Sequence, residues 1–193
     1  IHTRLDIQRG RIMIILASQS PRRQELLKLI TNDFEIKVSN VDETLPSGIS
    51  PKDAVLYLSK IKAEPFKNDS DIIIGADTVV TLDGKILGKP KNDENAREML
   101  KFLSGKAHSV FTGVTLIKGD TAKSFAVETK VKFFDLTDKE IDEYIKTGEP
   151  ADKAGAYGIQ GYGSLLVEKI DGDYFNVVGL PVSRLARELL AIK

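Results

Sequence analysis

Residues 12–23, Ile12-Met13-Ile14-Ile15-Leu16-Ala17-Ser18-Gln19-Ser20-Pro21-Arg22-Arg23, carry the reading that decides the fold. Six apolar residues in succession mark a strand buried on both faces. A helix is expected at once. Ser20 is placed to cap it, and Pro21 suits a first helical position, where no backbone N–H is needed. Leu26, Leu27 and Ile30 then supply one apolar stripe. Upstream, Arg9 and Arg11 before the apolar run imitate a secretion signal, but six residues fall short of the usual core of about 7–15. Met13 opens the strand directly. Residues 1–12 are therefore expected to be a non-native or disordered extension, and 13–193 a single domain of two lobes.

Downstream, strand and helix patterns alternate. Phe34–Val41 alternates like a strand, and Ser50-Pro51-Lys52-Asp53 opens a helix to about Glu64. Asp71–Ala76 is a second buried strand. Val79–Leu82 and Lys85–Leu87 flank Asp83-Gly84, a two-residue hairpin signal. A helix over Asp93–Leu103 stops at Gly105, and two long strands, His108–Ile117 and Ala122–Phe134, flank Gly119-Asp120. Thr137-Asp138-Lys139-Glu140 caps a helix that ends at Gly148. Ala151–Gly163 holds four glycines and no helical stripe, so a structured loop is expected. Leu165–Ile170 and Tyr174–Val178 read as a last hairpin across Asp171-Gly172, before a terminal helix from Pro181 with Leu185, Leu189 and Leu190. The pattern predicts an α/β fold: a mixed twisted sheet with flanking helices, in two lobes around a central cleft.

Composition narrows the function. The 28 Lys+Arg balance 28 Asp+Glu among 193 residues, which argues against a nucleic-acid coat while leaving room for a local basic pocket. No apolar run approaches the roughly 20 residues of a membrane helix. The chain has no cysteine, so disulfides, thiolate zinc sites and cysteine nucleophiles are excluded together, and a reducing cytoplasm suits it. A Walker A loop is missing, and with His108 as the one histidine after residue 12 and no G-x-S-x-G, a Ser-His-Asp hydrolase is disfavoured. His108 itself is expected to be a hydrogen-bonded structural residue.

The remaining signals gather at strand ends, where open α/β sheets bind ligands. After the first strand, Ser18 and the helix start favour an anion, and Arg22 and Arg23 offer forks matched to phosphate oxygens. The same residues equally suit a well-capped helix with two solvated arginines. Glu43 follows the second strand, and Asp77 follows the buried run Asp71–Ala76. An acid there is costly unless solvated, paired or metal-bound, and oxygen-only groups suit Mg²⁺ or Mn²⁺. Lys62 lies one step round its helix from the buried stripe Ala54-Leu58-Ile61, so its ammonium can reach a cleft. Lys89 is held between Gly88 and Pro90.

Several of these stretches together resemble the Maf family of nucleoside triphosphate pyrophosphatases. They are Leu16–Leu27, Val41-Asp42-Glu43, Gly75-Ala76-Asp77-Thr78, Gly88-Lys89-Pro90, Leu103-Ser104-Gly105, Asp152–Gly161 and Gly179-Leu180-Pro181, in the family's order from about Ile14 to the C-terminus. The resemblance implies hydrolysis of a nucleoside triphosphate to the monophosphate and pyrophosphate with a divalent cation (Mg²⁺ or Mn²⁺), in a cytoplasmic and often dimeric protein. It implies Asp77 as proton acceptor and metal ligand, with Glu43 as its metal partner, and Ser18, Arg23, Lys62 and Lys89 on the triphosphate. Arg22, Thr78 and Gln160 match the positions that separate the family's branches, and here they resemble the branch acting on dTTP and UTP. A neutral Gln160 offers both donor and acceptor to a pyrimidine edge, although it can also just tie its loop together. Two rivals share the same site: a nucleotide-binding regulator of septum formation without essential turnover, and a house-cleaning enzyme for inosine or xanthosine triphosphate.

Overall fold

The structure, a computed structural model, describes residues 13–192. The expected extension over residues 1–12 lies outside the described residues. Strands β1 (Ile14–Leu16), β2 (Phe34–Ile36), β3 (Ile72–Leu82), β4 (Lys85–Leu87), β5 (Ala107–Lys118), β6 (Thr121–Phe133) and β7 (Val167–Asp171) form one mixed sheet in the order β2-β1-β3-β5-β6-β7, with β4 paired to β3. β1 runs parallel to β2 and β3, whereas β4 and β7 pair antiparallel with β3 and β6. The helices are α1 (Pro21–Leu27), α2 (Pro51–Ala63), α3 (Asp93–Leu103), α4 (Asp138–Lys146), α5 (Tyr174–Val178) and α6 (Val182–Ala191). The expected mixed α/β architecture is therefore present.

By contacts the chain divides into two units, and β3, β5 and β6 each contribute to both. Among the described residues, the first unit comprises 13–77, Thr112–Ala126 and 179–192. Its parallel core strands are apolar because both faces are covered: Ile14, Leu16, Ile73 and Ile74 are fully buried. Two glycines let α2 lie on this sheet with backbone touching backbone. A Cβ on Gly75 would stand 2.0 Å from the Ser59 carbonyl oxygen, and one on Gly113 would stand 2.3 Å from that of Val55. Between them Ser59 Oγ, Thr115 Oγ1 and Ser124 Oγ form a chain with 2.8 Å links, so the buried hydroxyls are paired. The closing helix α6 is fastened by Glu188, which accepts from Arg184 Nε at 2.6 Å and pairs with Lys123.

The second unit comprises Thr78–Phe111 and Val127–Val178. Its core joins Val80, Leu100, Leu103, Val131, Phe133 and Ile141. His108 is buried in this core, edge-on to Phe133 and with its Nε2 2.8 Å from the Tyr157 hydroxyl, which is the structural role expected of it.

Four local expectations differ from the structure. The strand expected over Phe34–Val41 stops at Ile36. Asp71–Ala76 and Val79–Leu82 are one continuous strand, because Asp77 and Thr78 are only partly buried and do not interrupt the ladder. Ser20 stands at the helix start but its hydroxyl makes no capping bond. The fourth difference is the largest: Tyr174–Val178 is a helix, not the second arm of a hairpin. Asp173 Oδ1 accepts the Phe175 N–H at 2.8 Å and starts a helical turn, and Asn176 turns inward, donating to the Val110 carbonyl and to Thr129 Oγ1. An inward amide with two buried acceptors outweighs the alternation of Tyr174, Phe175 and Val177.

Candidate active site

Five of the residues expected to carry chemistry lie in the first unit, bonded in two sets, Glu43–Lys62–Asp77 and Ser18–Arg23. The strand β3 ends its wholly apolar stretch at Ala76 and delivers Asp77. Gly75, two residues earlier, shares that face of the strand, so the absent Cβ that lets α2 approach also sets α2 beside Asp77. Lys62, in the last turn of α2, reaches across and donates to Asp77 Oδ1 at 2.5 Å. The same Lys62 Nζ lies 2.8 Å from Glu43 Oε2. One ammonium thus joins both carboxylates. Lys62 and Asp77 keep only 15% and 14% of their side-chain surface exposed, whereas Glu43 keeps 53%, so the pair is shielded on one side and open on the other. A shielded charge pair of this kind is costly to break from either end, because the survivor stays desolvated and alone.

The Glu43 loop is built from local signals. Asp42 Oδ1 accepts from the Thr44 N–H at 2.9 Å and from its hydroxyl at 2.6 Å, an Asx turn that projects the residue between them. The Thr44 hydroxyl, followed by its N–H, holds the Asp42 carboxyl below the usual carboxylate value. Ser39 Oγ donates to the Lys62 carbonyl at 3.4 Å and ties the loop to the end of α2. Asp42, Ser39 and Gly75 were not singled out for these jobs by sequence. Asp-x-Thr before a charged cluster, and a glycine inside a buried strand, are the signals that could have done so.

Arg23 forms the second part of the site. Its Nε donates to the Gly179 carbonyl at 2.9 Å, and its Nη1 donates to Ser18 Oγ at 3.2 Å. Gly179 takes φ 129°, a backbone conformation that disfavours any side chain, and so the closing Gly179-Leu180-Pro181 stretch orients an arginine from far away in the chain. Burial pulls the Arg23 guanidinium below its ordinary pKa; Asp77 opposes that shift, Arg22 adds to it, and Glu43 opposes it. Arg23 therefore feels the charges of Asp77, Arg22 and Glu43 together. Ser18 is buried and its Oγ also accepts from the Ser20 N–H at 3.3 Å. With two donors already on that oxygen, the hydroxyl proton is left to donate.

Thr78, Lys89 and Gln160 belong to the second unit. Thr78 is partly buried, while Lys89 and Gln160 are exposed. The loop of Gln160 is tied to that of Lys89 by the Gly155 N–H, which donates to the Gly88 carbonyl at 3.0 Å. On the far side of Gln160, the Glu149 carboxylate accepts from the N–H groups of Tyr162 and Gly163 at 3.0 and 3.1 Å, and the Tyr144 hydroxyl accepts from Gly158 N–H at 3.1 Å. Lys153 Nζ closes the set on the Glu149 carbonyl at 2.6 Å. The region expected to be a structured loop is held by side chains on both flanks of Gln160.

Comparison with known proteins adds to this geometry. The family model described as Maf-like protein matches residues 13–192. A dTTP/UTP pyrophosphatase of Bacillus cereus (strain G9842) is 54% identical over 178 residues, 91% of this chain and 93% of that protein. Another of the same name, from Bacillus thuringiensis subsp. konkukian (strain 97-27), is 55% identical over the same shares. Among solved structures, a HAM1 protein from Coxiella burnetii superposes with a TM-score of 0.51 over 94% of this chain and 100% of the other, at 15% identity. That likeness concerns the fold alone.

Proposed function

We propose that this chain, which belongs to the Maf family, is a nucleoside triphosphate pyrophosphatase that hydrolyses dTTP and UTP to the monophosphate and pyrophosphate. The observation that carries the reading is the bridge of Glu43, Lys62 and Asp77, set in one unit with Arg23 and Ser18. The relatives that are 54% and 55% identical bear the corresponding name.

In the reaction so read, water attacks the α-phosphorus, the bond from that phosphorus to the oxygen bridging to the β-phosphorus breaks, and pyrophosphate leaves. Asp77 accepts the proton of the attacking water. Arg23, already oriented by Gly179 and Ser18, donates N–H groups to phosphate oxygens, and Ser18 donates its hydroxyl proton. Lys62 offsets the charge that builds on the leaving group. Lys89 is assigned to the phosphates as well, and Arg22, Thr78 and Gln160 to selection of the base.

A divalent cation (Mg²⁺ or Mn²⁺) fits this donor set. Two carboxylates already share one cation, the Lys62 ammonium, so their oxygens converge. Among the described residues no cluster of three or more His, Cys, Asp or Glu offers a full protein cage. Glu43 and Asp77 would hold the ion and leave its other positions to phosphate oxygens and water, the usual arrangement for Mg²⁺. When bound, the ion supplies Lewis-acid charge at the phosphoryl oxygens.

The test is product analysis. The protein is expected to release pyrophosphate, not orthophosphate, from dTTP and UTP in preference to purine triphosphates. Asp77→Asn is expected to reduce kcat by about 10²–10⁴ if Asp77 is the base. Undiminished pyrophosphate release from that variant overturns the role given to Asp77.

A further inference from the structure

We propose that Lys62 is a place-holder cation: in the nucleotide-free protein its ammonium occupies the position between Glu43 and Asp77, so a divalent ion enters that position only once a triphosphate has drawn Lys62 away. This rests on the reading of Glu43 and Asp77 as the metal pair. It goes further by assigning Lys62 an order of binding, not only a phosphate contact.

The geometry leaves no room for both cations. Lys62 Nζ is at contact distance from each carboxylate, 2.8 Å to Glu43 and 2.5 Å to Asp77. A divalent ion on the same two oxygens, with metal–oxygen distances of about 2.0–2.6 Å, would lie against the ammonium. Like charges at that range repel strongly where solvent is partly excluded, and Lys62 and Asp77 are both shielded. One of the two must leave. Lysine is suited to leaving, since its point charge sits on a flexible four-carbon stem and makes no bidentate fork. The backbone needs no rearrangement, because the Lys62 carbonyl stays tied to Ser39 Oγ while the side chain swings. A triphosphate offers the departing ammonium anionic oxygens in exchange for two carboxylates, and brings further oxygen ligands for the divalent ion. Without nucleotide the exchange has no such compensation.

The experiment is Mn²⁺ titration of the full chain, followed by calorimetry and by electron paramagnetic resonance, with and without the uncleavable analogue α,β-imido-UTP. The wild-type protein alone is expected to bind Mn²⁺ at least tenfold more weakly than Lys62→Met alone. With the analogue at saturation that gap is expected to close, and a gap that persists overturns the order of binding. Lys62→Arg, which retains the charge, is expected to bind Mn²⁺ no more tightly than wild type. Both variants are compared with wild type for unchanged circular dichroism, and Lys62→Gln replaces Lys62→Met if the latter fails to fold. Equal Mn²⁺ affinity of wild type and the charge-removing variant without nucleotide overturns the place-holder role. Adding Glu43→Gln or Asp77→Asn to Lys62→Met is expected to abolish the gain. If Mn²⁺ binding instead survives those additions, the assignment of the carboxylate pair fails, which is a separate outcome from failure of the place-holder role.

Discussion

Gly75→Ala tests the physical link between packing and chemistry. The new Cβ would lie 2.0 Å from the Ser59 carbonyl oxygen and 2.9 Å from the Ala63 Cβ, and the first of these neighbours is helix backbone that cannot rotate aside. To reach an ordinary contact, α2 must retreat from β3 by about 1.4 Å at that point. The helix carries Lys62 three residues beyond Ser59. If the side chain does not follow, its 2.5 Å bond to Asp77 lengthens past hydrogen-bond reach. Overpacking of this kind costs about 1–3 kcal/mol, which lowers a urea midpoint by about 0.5–1.5 M when the slope is near 2 kcal/mol per molar. A tenfold fall in kcat/KM, equivalent to about 1.4 kcal/mol, is expected beside it. Gly113→Ala is the control, since its Cβ would strike the Val55 carbonyl at 2.3 Å, seven residues before Lys62. It should cost similar stability and less activity. Chemical denaturation and initial-rate assays on both variants decide the matter. A Gly75→Ala protein with wild-type midpoint and wild-type rate would refute the idea that close approach of α2 sets the Lys62–Asp77 bridge.

Three other outcomes are expected. Burial lowers the His108 pKa to about 4, from an ordinary 6.5, against a smaller opposing hydrogen bond at Lys106. The unfolded chain therefore binds this proton first, and stability that is full above pH 6.5 is lost as pH falls toward 4. At pH 5 the loss is about 2 kcal/mol, and urea unfolding of His108→Gln should lack that component of the pH dependence. Arg23→Lys gives up the fork that spans the Gly179 carbonyl and Ser18 Oγ, and should raise KM for nucleotide ten- to hundredfold, as loss of a charged hydrogen bond worth about 1.5–3 kcal/mol implies; an unchanged KM would speak against a phosphate role. Glu149→Gln weakens a carboxylate that accepts from Tyr162 and Gly163, loosening the loop around Gln160. The ratio of kcat/KM for UTP over CTP should fall while the urea midpoint moves little, and a ratio that stays constant separates Glu149 from base selection.

Much of this protein was decided along the chain itself. Short, β-branched apolar runs such as Ile72–Ala76 favour strands covered on both faces, and capping groups such as Thr137 with Glu140 set helix starts through bonds a few residues long. Local rules of this range are complete within a short window, so the α/β order, most helix limits and the identity of the charged residues at strand ends were legible. Partnership was not. Arg23 and Gly179 meet across a separation of 156 residues, and Lys62 lies 15 residues from Asp77, so their bonds depend on how the sheet is stacked and not on any spacing. The same limit explains Tyr174–Val178, where alternation suggests a strand but the buried acceptors at Val110 and Thr129, distant in the chain, draw Asn176 inward and favour a helical turn. Only tertiary structure reveals that Lys62, read from sequence as a ligand for phosphate, rests between two acids. A side chain's charge is written in its residue type, but which opposite charge it neutralises is settled by the folded backbone that brings the two within a few ångströms.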